Sequence, residues 1–462
     1  MKQFRHLYRR TLFPAVLIAL LFTACRKDLA PETPADTAAA PPSAIAQQTR
    51  QPEPSRYRPN EALLILPEDT RDEQRKVIEA ILRQKYFPNL RVAFTRCICD
   101  PNIITMRGRG IDPIVDSLII NGPGSKLSPT STTVGVSGPG NSTTRLILSK
   151  NLLFRNGTPS TRLPAPRPFA YTGKPGKVRL AVIDTGLDTL RYFPATTYAR
   201  FLLPASPANY HLVGITNPAL MNRSRFFGWN FIRNNQDIMD DNAAMKHGTH
   251  VTGLVLQQTP ELGPAIIPLK AFDATGNAAL SDLACALRFA ELARATVVNA
   301  SWGYYGKINL ALQAAIRRLQ LKNILLVAAA GNDYVDLTTF PHYPASFSKG
   351  ALGYPNIITV TSATSNGVCG GNNFSRLHVD AAVSGRVNVS GMLNPFSGIP
   401  AWLPSCTSFS TAALTGIILR HFYAGLPTGG SLKENVLVRI LPAGAPEPAL
   451  VSRVRTGKRV AQ

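Results

Sequence analysis

From Lys177 onward the chain alternates between short apolar runs and longer stretches with helical spacing. "VRLAVID" (178–184), "AIIPLKAF" (265–272), "TVVNASW" (296–302), "ILLVAAA" (324–330) and "IITVTSA" (357–363) are rich in β-branched residues and almost continuously apolar. Such runs read as strands buried on both faces. "SDLACALRFAELARA" (281–295) and "NLALQAAIRRLQL" (309–321) read as helices between them. The alternation predicts an α/β domain over 175–440, with a parallel central sheet and helices on both faces. Sites in such sheets form beyond the C-terminal ends of the strands.

Upstream the pattern changes. Residues 57–110 read strand, helix, strand, strand, with Val77, Ile78, Ile81 and Leu82 at helical spacing behind an acidic first turn. This predicts a small α+β module. Residues 111–174 are rich in Gly, Ser, Thr and Pro around one apolar patch, "TRLILSKNLLF", and read as a loosely structured connector. Residues 26–56 are Pro/Ala-rich and read as a tether. Residues 441–462 read as a basic tail.

Charge changes this picture little. The 462 residues carry a net charge of +23, which invites a nucleic-acid reading. Residues 181–440 hold only +6 of it, from 19 Lys and Arg against 13 Asp and Glu. No basic stripe interleaved with aromatics occurs there, so nucleic-acid binding is set aside.

The first residues add a compartment. Lys2, Arg5, Arg9 and Arg10 precede "TLFPAVLIALLFTA", an apolar run too short to span a bilayer comfortably. It ends in "LFTAC". Small residues before Cys25 resemble the lipobox of bacterial lipoproteins, although Phe22 stands where Leu is usual. That resemblance implies that residues 1–25 are an export signal and that Cys25 is lipidated. The protein is then exported to the cell envelope and lipid-anchored to a bacterial membrane. An ordinary cleaved signal or a short anchor is the alternative.

Candidate chemistry sits at the predicted strand ends. Asp184 closes "RLAVID" and is followed by Gly186. His247 opens an apolar helical run, "HGTHVTGLVLQQ". Its three-residue spacing to His250 lacks the pattern of a zinc motif, so the base reading is preferred. Asn332 follows "LLVAAAG", where a side-chain amide is able to donate to an oxyanion. Ser408 opens "FSTAALTGIILR", at a helix N-terminus whose N–H groups favour developing negative charge.

The chain order Asp184, His247, Ser408 is the one found in subtilisin-type triads. "AVIDTGLD", "HGTHVTGLV", "VVNASWG", "VAAAGND", "YPASF", "VDAAVSG" and "TSFSTAALTG" resemble, in order, segments of the subtilase family. The resemblance implies a serine endopeptidase that acts on protein or peptide substrates through an acyl-enzyme. Asp184, His247 and Ser408 are the implied triad, with Asn332 in the oxyanion hole. Ser301, Trp302, Gly303 and Gly331 line the implied substrate cleft, and Trp302 suggests an apolar or narrowed subsite. Family members often carry an N-terminal prodomain, so 57–110 is expected to act as an intramolecular inhibitor, with processing somewhere in 105–175. A separate packing module is the alternative. No calcium loop is recognised and no cofactor or metal is assigned.

Three departures from the family pattern motivate a second reading, a peptide-binding scaffold with little or no proteolysis. They are Cys406 in place of Gly before the nucleophile segment, Ala412 in place of Pro, and the extra "AAMK" (243–246) before His247. An esterase on the same triad is a third. Cys97 and Cys99, two apart in a predicted strand, are expected on opposite faces. Cys285 is expected as a buried core thiol. A disulfide between Cys369 and Cys406 is left open.

Overall fold

The computed structural model describes residues 52–53, 55–123, 128–137, 143–156, 174–189, 199–221, 224–242, 246–259, 262–349, 353–384, 406–423 and 431–460. Cys25, the expected export signal and most of the expected tether lie outside these residues. Among the described residues no helix is long and apolar enough to cross a membrane.

The N-terminal module is an antiparallel sheet of β1 (Tyr57–Ile65), β2 (Ala93–Arg96), β3 (Ile103–Arg107), β4 (Ser131–Ser137) and β5 (Thr143–Arg155), in the order β2-β3-β1-β5-β4. Helices α1 (Asp72–Tyr86) and α2 (Asp112–Ile120) cover one face. The run "ALLIL" in and after β1 is apolar throughout because both faces are buried. Ala62, Leu64 and Leu66 pack under α1 and α2, whereas Leu63 and Ile65 join the core of the larger domain.

The module therefore extends to residue 155, and the connector reading of 111–174 is corrected over its first part. The Gly/Ser/Thr-rich text holds α2, β4 and β5. In β4 the outward positions are polar or Gly while Val134 and Val136 point inward, so composition hides a period of two.

The larger domain is built on β6 (Lys174–Asp184), β7 (Trp229–Asn230), β8 (Leu262–Lys270), β10 (Val297–Ala300), β12 (Leu325–Ala329), β14 (Ile357–Thr364), β15 (Gly367–Val368) and β16 (Ala381–Ser384). The order is β15-β14-β12-β10-β6-β8-β7, with β16 also on β14. All pairings are parallel except β14 with β15. The remaining strands are β9 (Asn277–Ala279), which pairs with β5, and β11 (Tyr304–Tyr305), which pairs with β13 (His342–Tyr343). A short helix α3 (Pro207–Leu212) precedes α4 (His247–Gln257), α5 (Leu280–Leu292), α6 (Leu310–Leu321), α7 (Thr407–Tyr423) and α8 (Leu432–Ile440).

Alternate residues of β6 enter opposite cores. Leu180 and Val182 meet the apolar faces of α4, α7 and α8. Ala181 and Ile183 meet those of α5 and α6 and, beyond them, the module. This is the helix-covered parallel sheet that the uniformly apolar strands require.

The basic tail is also corrected. Leu450 and Val454 are buried in one core and Val460 in the other, with bridges Ser375↔Val454 and Ala382↔Arg459. Arg455, with Lys433, compensates the buried carboxylate of Asp380, each at 2.7 Å. That part of the charge is structural.

The cysteine expectations change as well. Cys285 is not a core thiol: it forms a disulfide with Cys97, across 188 residues, between α5 and the module. Strand β2 ends at Arg96, so Cys97 and Cys99 occupy a bend and their sulfurs converge to 3.4 Å instead of diverging. Cys369 and Cys406 are both half-buried and are not joined by a disulfide.

Candidate active site

Asp184 is the last residue of β6 and His247 the first of α4. His247 Nδ1 donates to Asp184 Oδ1 at 2.8 Å, and both side chains are buried. Asp184 Oδ1 also accepts the Thr185 N–H at 2.7 Å. The helix start comes this close because position 248 lacks a side chain. A Cβ on Gly248 would lie 2.3 Å from the Gly186 carbonyl oxygen and 3.1 Å from Asp184 Cβ.

Lys246, the last residue of the "AAMK" insertion, adopts a left-handed conformation with φ 52° at the cap of α4. Its ammonium is held by Asp188 at 3.3 Å and by the Asp240 carbonyl. The end of the insertion is thus anchored beside the base; Ala243, Ala244 and Met245 lie outside the described residues.

Ser408 is the second residue of α7, and the first turn of that helix is clamped by residues that follow two strands, β10 and β12. Asn332 Oδ1 accepts the Thr407 N–H at 2.9 Å and its hydroxyl at 3.0 Å. The Gly331 N–H donates to Thr407 Oγ1 at 3.0 Å. Ser301 Oγ donates to the Ser408 carbonyl at 2.9 Å and is itself held by Asn299 Nδ2 at 2.9 Å. Thr415, two turns further along the same helix, donates to Asn299 Oδ1. With its oxygen committed to Thr407, Asn332 keeps its NH2 end for another acceptor. The Ser408 N–H lies in the first turn, where helix N–H groups have no intrahelical partner. The His247 ring stacks on Phe409 at 5.9 Å.

The groove beside these residues is filled by the chain itself. Phe154 and Arg155, the end of β5, and the following Asn156 run between β9 and Gly303. On one side Leu153, Phe154 and Arg155 pair with β9. On the other, the Arg155 N–H donates to Gly303 O at 3.0 Å and the Gly303 N–H returns to Arg155 O at 2.9 Å. Gly303 is closely backed: a Cβ there would meet the His342 ring at 2.2 Å. Phe154 is fully buried, edge-on to Trp302 at 5.7 Å and to Tyr304 at 4.8 Å. Asn156 Nδ2 donates to Asp184 Oδ1 at 3.2 Å.

Ser408 Oγ donates to the Asn156 carbonyl at 3.0 Å and lies 3.4 Å from Ser301 O. His247 Nε2, though buried, has no hydrogen-bond partner among the described residues. Asp184 and His247 are therefore coupled, while the serine hydroxyl is turned to the inserted segment. Sequence reasoning missed Phe154 and Asn156, whose only signal was the apolar patch in the supposed connector. It also missed the clamps Asn299, Thr407 and Thr415, which look like ordinary polar residues of a strand and a helix. Among the described residues the one group with metal-ligand spacing is Cys97, Cys99 and Cys285, none of which belongs to this site.

Comparison with known proteins bears on this geometry. The sequence profile of the subtilase family, Peptidase S8, matches residues 176–421. Subtilisin-like protease 2 of Plasmodium falciparum (isolate 3D7) is 31% identical over 134 residues, 27% of this chain and 10% of that protein. The thermophilic serine proteinase of Bacillus sp. (strain AK1) is 35% identical over 141 residues, 29% of this chain and 32% of that protein. The chain thus matches about a tenth and about a third of the length of these two curated relatives. A crystal structure of a cold adapted subtilisin-like serine proteinase superposes with a TM-score of 0.41 at 20% identity, covering 65% of this chain and 96% of that one.

Proposed function

The chain belongs to the subtilase family, and on that premise we propose that it is an exported serine endopeptidase whose catalytic residues are Asp184, His247 and Ser408. The observation that carries this reading is the buried 2.8 Å contact of His247 Nδ1 with Asp184, set beside the first turn of α7 that bears Ser408. Asp184 fixes the tautomer of His247 and stabilises its imidazolium. His247 Nε2 takes the proton of Ser408 as the hydroxyl attacks a peptide carbonyl, and returns it to the leaving amine. The NH2 of Asn332 and the Ser408 N–H stabilise the oxyanion. Water then releases the acyl group.

The N-terminal module is the intramolecular inhibitor of this site. Its segment 153–156 occupies the groove as an added strand, held by backbone hydrogen bonds and by one buried side chain, Phe154. The chain is cut by its own Ser408 shortly beyond Asn156, within the broader processing interval expected from sequence. Lipidation at Cys25 places the enzyme on the outer face of a bacterial membrane. Mass spectrometry of the mature chain reads both events at once. An acylated Cys25 and a new terminus just beyond residue 156 are expected; an intact, unmodified chain in exporting cells overturns both.

One observation favours the second reading, a peptide-binding scaffold. Ser408 donates to Asn156 O, and His247 Nε2 has no hydrogen-bond partner among the described residues. In the peptidase reading this is the latent state, and displacing the segment restores the Ser408–His247 bond. A fluorophosphonate probe separates the two. Labelling that is lost in Ser408→Ala supports the peptidase, and absence of labelling from the cut, module-free chain supports the scaffold.

A further inference from the structure

Cutting the chain beyond Asn156 does not by itself free the module. The Cys97–Cys285 disulfide still joins the module to α5. Around it the two parts share one apolar core, which includes Leu63, Ile65 and Ile103 of the module and Leu287 of α5. Asp100, next to the cysteine pair, takes Arg288 Nε and Arg318 Nη1, each at 3.0 Å. An inhibitor held by such a tether acts at an effective concentration on the order of millimolar. That is about a thousandfold above a micromolar free partner, so a cut module re-enters the groove while the disulfide stands.

A third sulfur lies against this bond. Cys99 Sγ is buried, 3.4 Å from Cys97 Sγ and 4.0 Å from Cys285 Sγ. We propose that Cys97, Cys99 and Cys285 form a thiol–disulfide latch that retains the cut module on the catalytic domain and opens when Cys99 takes Cys97 from Cys285. The proposal rests on the reading of the module as inhibitor.

The exchange balances without any other reagent. The Cys99 sulfur attacks Cys97 Sγ. The Cys97–Cys99 bond forms and the Cys97–Cys285 bond breaks. Its electron pair passes to Cys285 Sγ, which takes up the proton that Cys99 gives away. The number of disulfides is unchanged, but the bond now lies wholly within the module, which is free to leave.

Two features keep the docked latch closed. Burial pushes the Cys99 thiol far up from its ordinary range, with Asp100 adding to it, and the thiol rather than the thiolate is a poor nucleophile. The sulfur also lies beside the disulfide, near both of its atoms, whereas displacement needs attack along the bond. Both features depend on a dry, assembled seam. Water entering as the module lifts lowers the thiol toward its ordinary range, and movement of the 97–99 bend brings the sulfur into line. Opening therefore follows loosening of the module, which the cut beyond Asn156 permits.

The test uses the full chain purified without reductant. Alkylation followed by peptide mapping is expected to find the peptide of Cys97 linked to that of Cys285, with Cys99 blocked from alkylation until unfolding. In thiol-free, sub-denaturing urea the linkage is expected to move to Cys97–Cys99 in the wild type; a linkage that stays at Cys285 overturns the proposal. This arm needs neither activity nor a variant. In the cut protein, Cys99→Ser is expected to remain at least tenfold slower than wild type in fluorophosphonate labelling until a dithiol is added, and then to equal it. A Cys99→Ser protein that opens as fast as wild type overturns the role of Cys99. Reduction of the disulfide without gain of labelling in a protein whose Ser408 labels overturns the latch. If Ser408 labels under no condition, the peptidase reading fails and the urea mapping alone decides the exchange.

Discussion

The Ser408 hydroxyl donates to the Asn156 carbonyl at 3.0 Å, so the candidate nucleophile and the chain's own inserted segment are in direct contact. Ser408→Ala should abolish fluorophosphonate labelling and lower peptide turnover by a factor on the order of 10⁶, a magnitude measured for the equivalent change in subtilisin. The same variant should accumulate uncut chain. Intact-mass measurement of protein purified alone checks this, and trimming beyond Asn156 that persists would assign the cut to another protease.

Asn332 has two ends with separate duties. Its oxygen holds the Thr407 N–H and hydroxyl, and its NH2 is the proposed oxyanion donor. Asn332→Asp keeps an acceptor for Thr407 but removes the donor. It should lower kcat by about 10²–10³ with little change in KM. Steady-state kinetics on a peptide substrate decide it; an unchanged kcat would leave the amide only its structural duty.

Phe154 is the side chain that plugs the groove. Phe154→Ala removes a fully buried ring from between Trp302 and Tyr304, at a cost of about 3–5 kcal/mol. The segment should then vacate the site more often, and labelling of Ser408 in the uncut chain should rise at least tenfold. A labelling rate equal to wild type would mean that the backbone pairing with β9 and Gly303 suffices for occlusion.

Asp282 gives the seam a pH dependence. It lies on α5 against β1, and Arg58 Nη2 approaches no closer than 3.9 Å. Burial raises its carboxyl to about 6, with Arg58 and Arg107 opposing and Glu61 adding to the rise. The folded state thus holds this proton where the unfolded chain has lost it. Its contribution is favourable in acid and is lost as pH climbs from about 4 through about 6. Asp282→Asn should raise stability at pH 7 by roughly 1–3 kcal/mol and change little at pH 4. Urea midpoints at the two pH values measure the difference.

Much of the fold was legible because it is written locally. The continuously apolar runs that became β6, β8, β10, β12 and β14 declare burial on both faces, and a parallel sheet is the usual way to achieve it. The motifs bearing Asp184, His247, Asn332 and Ser408 were equally local, each at a strand end or helix start. What escaped was written across distance. No local signal links Cys97 to Cys285, 188 residues away. Strand β4 hid behind polar outward positions. Asn156 gains its meaning only from its carbonyl meeting Ser408, 252 positions along. The disposition of Ser408 toward Asn156 rather than His247 belongs to the assembled state, and no motif specifies it.

Strand β5 is thirteen residues long, a rod of roughly 40 Å whose early residues are stitched to β1 and β4 and whose last three are stitched to β9. While the backbone continues past Asn156 to β6, the rod has no free end. A tug on it then loads its hydrogen bonds together, in shear. Severing the chain beyond Asn156 leaves every contact in place but gives the rod a loose end. It can then peel from the groove one hydrogen bond at a time, starting at the residue that lies against Ser408. Hydrolysis of a single bond thus changes the mode of failure of this seam before it changes its strength.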